Sequence, residues 1–389
     1  MIEVVQDIPA SLRRAPAVHA RRKSVSFADD AVLRKGLDDM TGIDVPTLVM
    51  SPDARPLAIA WAASGNPFDR RVRYIDDRAL IEGFIRDGHD GGMQCAFSNL
   101  NQIISAASNG SRFDLKFVKT MTTNPTAGQF MDLWPVGGDP TAGTYPGAAN
   151  TAVQKDDTTT GALIHGGNVS TATKHVVSST ASFSAGASPP TLYLYDRVLC
   201  YEANAFTAAA NQNMTNGVAA ARWIGAGEGG LKMQLTGQTV FGATASNLTA
   251  LSYTDQDGNA AQSMPTTITA VIIVSVAAPT ATLGARVACP ASGTTPLSPY
   301  LFMAAGDTGA RAVASYTTSA ANTGTWCLSL VRQLAIFPMV LALKTEDFDL
   351  TRGLQSLPRV RDGGCLSAFA KFVAATGCNF ELDGQAVWN

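Results

Sequence analysis

Charge is what this chain has least of. Lys, Arg, Asp and Glu make up 15% of its 389 residues, against about 25% in an ordinary soluble domain. The shortage is sharpest between Met121 and Leu330, where Thr, Ser, Ala, Gly and Asn are broken by short apolar runs. Apolar content is ordinary at 46%, so small polar residues have taken the place of ions. Burying a hydroxyl costs far less than burying an ion, and a surface of this kind suits an interface. The net charge of -2 gives no long-range attraction to nucleic acid or to a membrane.

Other absences exclude whole classes of chemistry. No run reaches the ~18 apolar residues of a membrane span; the longest candidate, Leu334–Leu343, is broken by Pro338. The opening MIEVVQDIPASLRRAPAVHARRKS has basic residues but no apolar h-region, so no secretory signal is expected and the chain reads as made in a cytoplasm. The six cysteines, Cys95, Cys200, Cys289, Cys327, Cys365 and Cys378, form no CxxC pair. Leu199-Cys200-Tyr201 and Trp326-Cys327-Leu328 read as buried free thiols, and a Cys365–Cys378 bridge is left open by spacing alone. His19, His89, His165 and His175 have no zinc-ligand spacing and none adjoins a Cys. There is no GxSxG elbow. Aromatic residues do not interleave with a basic stripe, and Arg70, Arg71 and Arg73 are balanced by Asp69, Asp76 and Asp77. A stacking platform for single strands is therefore absent, and no direct nucleic-acid contact is expected.

What remains divides by composition. Residues 1–25 read as an extended arm, made basic by Arg13, Arg14, Arg21, Arg22 and Lys23 and kept from long helices by Pro9 and Pro16. These five cations are the candidate interface residues. Residues 26–120 read as a small α/β or α+β domain, with helices over Ala28–Leu37 and Asp76–Arg86. Its strands fall at Val45–Met50, Leu57–Ala62 and Phe113–Phe117. Residues 121–170 are a Pro-punctuated loop or linker, of a length that usually has a task such as contact with neighbours. Residues 171–345 are a succession of short strands, expected at His175–Phe183, Thr191–Tyr201, Leu231–Phe241, Asn247–Tyr253, Thr266–Val276, Arg311–Thr317 and Thr325–Leu343. That spacing reads as an antiparallel β-sandwich or barrel body. A short helix is expected within Asn211–Ile224 and another over Leu366–Ala375, in a mixed C-terminal segment from 346 to 389.

Several local patterns carry chemistry elsewhere. Gly225–Gly230 matches GxGxxG, but a helix-like stretch precedes it and a strand follows, the reverse of a dinucleotide loop. Asp255-Gln256-Asp257-Gly258-Asn259 resembles the start of a calcium loop, yet Ala260 and Thr266 stand where Gly and Glu are needed; a tight turn is the better account. His89 between Asp87 and Asp90 lies in a Gly-rich turn, where polar residues are ordinary. A glycan hydrolase needs two facing carboxylates about 5–9.5 Å apart, and Asp196, Glu202, Glu228, Asp255 and Asp257 are the candidates in the body. No catalytic, cofactor-binding or metal-binding residue is assigned.

From about Asp132 onward the chain resembles a group of tailed-bacteriophage virion proteins of uncharacterised role. The resemblance rests on Leu163–Ser170 (LIHGGNVS), Leu194–Tyr201 (LYDRVLCY), Leu251–Gly258 (LSYTDQDG), Ala305–Arg311 (AGDTGAR) and Leu357–Gly364 (LPRVRDGG), in that order. It implies a structural component of a phage particle, made in the host cytoplasm and located in the virion. Its partners would be copies of itself and other virion proteins, either the major capsid protein or tail and connector subunits. No catalytic residue is carried over. The reading is a non-enzymatic head decoration or cement protein. A tail fibre or spike module for host recognition is the alternative, and a glycan-degrading virion enzyme the third.

Overall fold

A computed structural model describes residues 97–389, apart from 122–127, 146–147, 185–188, 208–209, 226–227, 240–245, 266–270, 274–284, 289–290, 293–294, 297, 352–356 and 373–377, together with the backbone of three strands nearer the N-terminus. The expected arm and the helices at Ala28–Leu37 and Asp76–Arg86 lie outside the described residues. The chain falls into two compact units, Met1–His89 and Asp90–Asn389. In the first, β1 (Val49–Met50), β2 (Pro56–Ala60) and β3 (Arg71–Tyr74) form an antiparallel meander with Ile59 opposite Val72.

The second unit is mainly antiparallel β, as the strand succession leads one to expect. It opens with helix α1 (Leu100–Ser108), whose N-cap Asn99 accepts the Gln102 N–H while the Gln102 side chain accepts the Ser98 N–H. The strands follow as β4 (Arg112–Thr120), β5 (Phe130–Asp132), β6 (Gly138–Asp139), β7 (Thr151–Gln154) and β8 (Lys174–Phe183). Next come β9 (Thr191–Phe206), β10 (Gln212–Asn213), β11 (Lys232–Gly237), β12 (Ser246–Asp255), β13 (Gln262–Ser263) and β14 (Val271–Ile273). Then β15 (Ala285–Ala288), β16 (Ala291–Ser292), β17 (Thr295–Pro296), β18 (Ala310–Thr318) and β19 (Asn322–Pro338). The last are β20 (Glu346–Asp349), β21 (Arg359–Val360), β22 (Leu366–Lys371) and β23 (Asn379–Trp388).

Pairing among β9, β19, β11, β15, β5 and β22 returns to β9, so these strands close into a ring. A sheet in the order β20-β8-β23-β4-β6 lies against one part of the ring's outer surface, and a sheet built on β10-β18-β12-β13 lies against another. Each contact is an apolar core. Leu192, Leu194, Phe337 and Ala368 of the ring meet Phe117, Val176, Phe380 and Leu382 in the first. Leu199, Tyr201, Met233, Trp326 and Leu328 meet Leu248, Leu251, Val313 and Tyr316 in the second. The long antiparallel pair β9 and β19 serves both cores, because 16 and 17 residues span the whole ring.

Two expected helices are corrected. Leu366–Ala375 begins as strand β22, with its first five residues buried on both faces. Ala and Leu favour a helix only when packing does not decide, and here β5 and β9 flank the segment. Asn211–Ile224 is not helical either; it contributes β10 and then bends through Gly217. The strand expected at Phe113–Phe117 is β4, which pairs along its length with β23. The segment 121–170 carries β5, β6 and β7, and buried Lys119 ties it down by donating to the Val136 and Pro140 carbonyls at 2.9 and 2.7 Å.

Trp134, fully buried, lies against Gly143; a Cβ there would stand 2.1 Å from its ring. Gly143→Ala is expected to cost about 1–3 kcal/mol by overpacking. Gly217→Ala, with open space around it, should stay within about 0.5 kcal/mol. Urea denaturation of both variants checks the contrast.

Candidate functional site

Register decides which side chains enter the ring. Tyr193, Tyr195 and Arg197 alternate inward along β9; then Leu330 pairs with Leu199 while Val331 pairs with Arg197, leaving Val198 as an inserted residue. A one-residue slip turns every later side chain over. Cys200 and Glu202 therefore face the interior, and Leu199 and Tyr201 face the apolar core.

At the middle of this interior Asp132 forms an ion pair with Arg197, both fully buried. Tyr195 Oη donates to Asp132 at 2.8 Å, Tyr145 Oη at 3.2 Å and the Trp134 N–H at 3.1 Å. Arg197 Nη1 also donates to Ser329 Oγ at 2.8 Å, and its guanidinium lies 5.1 Å from the Trp134 ring and 5.3 Å from the Tyr195 ring. Burial raises both phenols well above their ordinary range, so they stay protonated donors. A buried charge is tolerated only when paired and hydrogen-bonded, and this one is.

Further along the interior, Cys200, Cys327 and Glu202 bring two sulfurs and a carboxylate oxygen within 4.8 Å of one another, all buried. Ser329 Oγ lies 3.4 Å from each sulfur. Lys155 Nζ stands 2.8 Å from Glu202 Oε1 as an ion pair, yet neither Glu202 oxygen has a partner in hydrogen-bond geometry. Burial, then the charge at Cys200, pushes the Glu202 carboxyl up to about 7. Burial alone would raise Cys200, but Cys327, Arg197 and Lys155 bring it down, and burial beside it raises Cys327.

The sequence left Glu202 among five carboxylates available to a glycan hydrolase; the fold places it beside Lys155 and the two cysteines. Asp196 faces outward and accepts from Arg222 Nε at 3.0 Å, Trp223 Nε1 at 2.7 Å and the Cys365 N–H at 2.9 Å. Glu228 pairs with Arg361. Asp255 accepts the N–H groups of Asp257 and Asn259, and Asp257 accepts from the Gln256 side chain, which makes the Asp257-Gly258 segment a tight turn. Strand β11 follows Gly225–Gly230, as expected. Cys365 and Cys378 are free thiols, buried in different clusters. Arg13, Arg14, Arg21, Arg22, Lys23 and His89 lie outside the described residues.

Four of the five motifs behind the phage resemblance meet in pairs. Leu163–Ser170 docks on Leu357–Gly364: His165 Nε2 lies 3.0 Å from the Gly364 carbonyl oxygen, the Val169 N–H donates to Asp362 at 2.9 Å and the Gly363 N–H to Asn168 at 2.8 Å. Leu251–Gly258 docks on Ala305–Arg311 through Tyr253 Oη to Asp307 at 2.6 Å and Arg311 Nε to the Gln256 carbonyl at 2.7 Å.

An open cleft of about 850 Å³ lies on the sheet of β20, β8, β23 and β4, lined by Asp114, Lys116, Asp347, Asp349 and Asp383 among others. No helix among the described residues is long and apolar enough to cross a membrane. Comparison with protein-family models and with curated proteins finds no match. A solved structure titled "Structure of infectious bursal disease virus Gx strain" aligns at 11% identity and a TM-score of 0.14, over 80% of this chain and 86% of that one. A score at that level establishes no shared fold.

Two consequences are measurable. Asp132→Ala strands Arg197 and should cost about 3–5 kcal/mol, whereas the double change Asp132→Leu with Arg197→Met should recover most of it; chemical denaturation reads both. His175 is buried against Phe97, with Nδ1 3.2 Å from the Leu357 carbonyl oxygen, and burial lowers its pKa to about 4. A neutral folded imidazole whose unfolded form titrates near 6.5 makes stability greatest above pH ~6.5. Stability should fall by at most about 3 kcal/mol as the pH drops to ~4. His175→Asn should flatten that limb of a stability-versus-pH curve.

Proposed function

We propose that this chain is a non-enzymatic structural subunit of a bacteriophage particle, a head decoration or cement protein working as a homo-oligomer. Its task would be to bury surface between neighbouring capsid subunits and so oppose internal DNA pressure. The phage assignment rests on the ordered motifs of the sequence. The structural observation that carries the contact role is an exposed apolar patch at the end of β19 and in the turn after it. Ile336, Val340, Leu341 and Leu343 are 45%, 66%, 53% and 79% exposed within eight residues of chain. An exposed apolar cluster of this kind suits a surface that another protein covers.

Charge supports the same reading. Along the open cleft Asp347 and Asp383 flank Thr180 in register, and Asp349 and Asp114 flank Ser178 and Gln385. This face is complementary to the basic arm of another copy, with Arg13, Arg14, Arg21, Arg22 and Lys23 supplying charge-assisted hydrogen bonds. The arm has few apolar anchors, and ordering it costs roughly 1–2 kcal/mol per residue in backbone entropy, so a partner's carboxylates are its natural support.

Mass spectrometry of purified particles tests the assignment. A copy number on the scale of the shell supports cement; absence from particles, or only a few copies, overturns it, and few copies with binding to host cells favours the tail reading. Deleting residues 2–25, or introducing Asp347→Lys with Asp383→Lys, should each reduce incorporation into particles. The melting temperature of the isolated protein should hardly change. Unfolding of the isolated protein on arm deletion would place the arm in its own core and remove the docking argument.

A further inference from the structure

We propose that Cys200, Cys327 and Glu202 form a zinc site inside the ring of strands, a structural metal centre independent of the virion assignment. Two thiolates and one carboxylate are a donor set suited to Zn²⁺. Zinc bonds of about 2.3 Å to sulfur and 2.0–2.2 Å to oxygen put tetrahedral ligand atoms about 3.5–3.8 Å apart. The three donor atoms already lie within 4.8 Å of one another, so small side-chain adjustments complete the set.

A second observation points to a ligand. Glu202 is fully buried; Lys155 Nζ stands 2.8 Å from its Oε1 as an ion pair, while its Oε2 has no partner. Buried polar groups are paired in the great majority of proteins, and an exception calls for an explanation such as an ion. Gln234 and Thr236, on β11 opposite Ser329 and Cys327, share the condition: the Gln234 amide and the Thr236 hydroxyl also lack hydrogen-bond partners. Unpartnered polar atoms thus gather around the two sulfurs. Three ligands leave one corner of the tetrahedron to an oxygen donor, and the Gln234 amide oxygen is one the interior supplies.

The surroundings fit a dication. Ser329 Oγ at 3.4 Å from both sulfurs is placed to donate to a bound thiolate and fix its direction. Arg197 is neutralised by Asp132, although its Nη1 also donates to Cys200 Sγ at 3.8 Å, and Lys155 offsets one ligand charge. Two thiolates and a carboxylate then carry two charges in excess, which Zn²⁺ balances by displacing two acidic protons. The ligands come from β9 and β19, so a bound ion would staple the ring across that pair at its polar end. Because all three are fully buried, the metal is expected to load during folding rather than by exchange into the finished protein.

The full chain, unfolded and then refolded with Zn²⁺, should leave gel filtration carrying about one zinc per chain by elemental mass spectrometry. Refolding with Co²⁺ should give a thiolate-to-cobalt charge-transfer band and the intense visible bands of a tetrahedral ion. Cys200→Ser with Cys327→Ser should abolish both signals, and Glu202→Gln should reduce retained metal, while Cys378→Ser, outside the cluster, should keep it. The cobalt spectrum of the unaltered chain decides the matter even if the double variant fails to fold. A chain that refolds yet leaves the column without zinc, or in which Cys200 and Cys327 are recovered as a disulfide, overturns the proposal.

Discussion

The pairing of Arg197 with Asp132 inside a closed ring of strands constrains everything around it. An uncompensated ion at that depth would cost several kcal/mol, so the carboxylate must be reached by donors from separate parts of the chain. Tyr195, Tyr145 and the Trp134 N–H supply them. Their convergence requires β5, β9 and the segment after β5 to sit where they do. It also requires the inserted residue Val198, which keeps Arg197 on the same side as Ser329 and turns Cys200 and Glu202 inward after it. A barrel interior is normally filled with apolar side chains. This one is aromatic at one end, where Phe130, Tyr193 and Phe369 pack, and polar at the other.

The chain's few central ions thereby become internal structure rather than surface chemistry. Asp132, Arg197, Lys155, Glu202, Asp196 and Arg222 are all buried, and each is tied to another of the set. Exposed ions remain among the described residues, Arg112, Asp139, Lys344 and Asp362 among them, beside the acidic cleft and the apolar patch. Hydroxyl-rich surface is desolvated at lower cost than charged surface.

Strand positions were largely legible because period-two alternation survives in the ring and in the sheets on either side. β8, β12 and β18 fall within a residue or two of the segments expected from sequence. The failures have local causes. Leu366–Lys371 is buried on both faces, so alternation is lost and its Ala and Leu content suggests a helix. Helix α1 buries Ile103 and exposes Leu100 and Ile104, which leaves too narrow a stripe to register as periodic. The cysteine cluster had a faint trace in the alternation Cys200-x-Glu202, but Cys327 gave none, since its approach depends on strand register rather than spacing.

The sequence by itself determined the class of fold and the poverty of charge, because those follow from composition and local periodicity. It also placed the turns, as at Asp255–Asn259, where side chains bond to their own backbone. Tertiary structure decided which residues meet: Asp132 with Arg197, Cys200 with Cys327, Leu163–Ser170 with Leu357–Gly364. Those contacts join positions far apart in the chain, and a single inserted residue in β9 selects which side chains make them. Register is a property of paired strands, and no strand carries it alone.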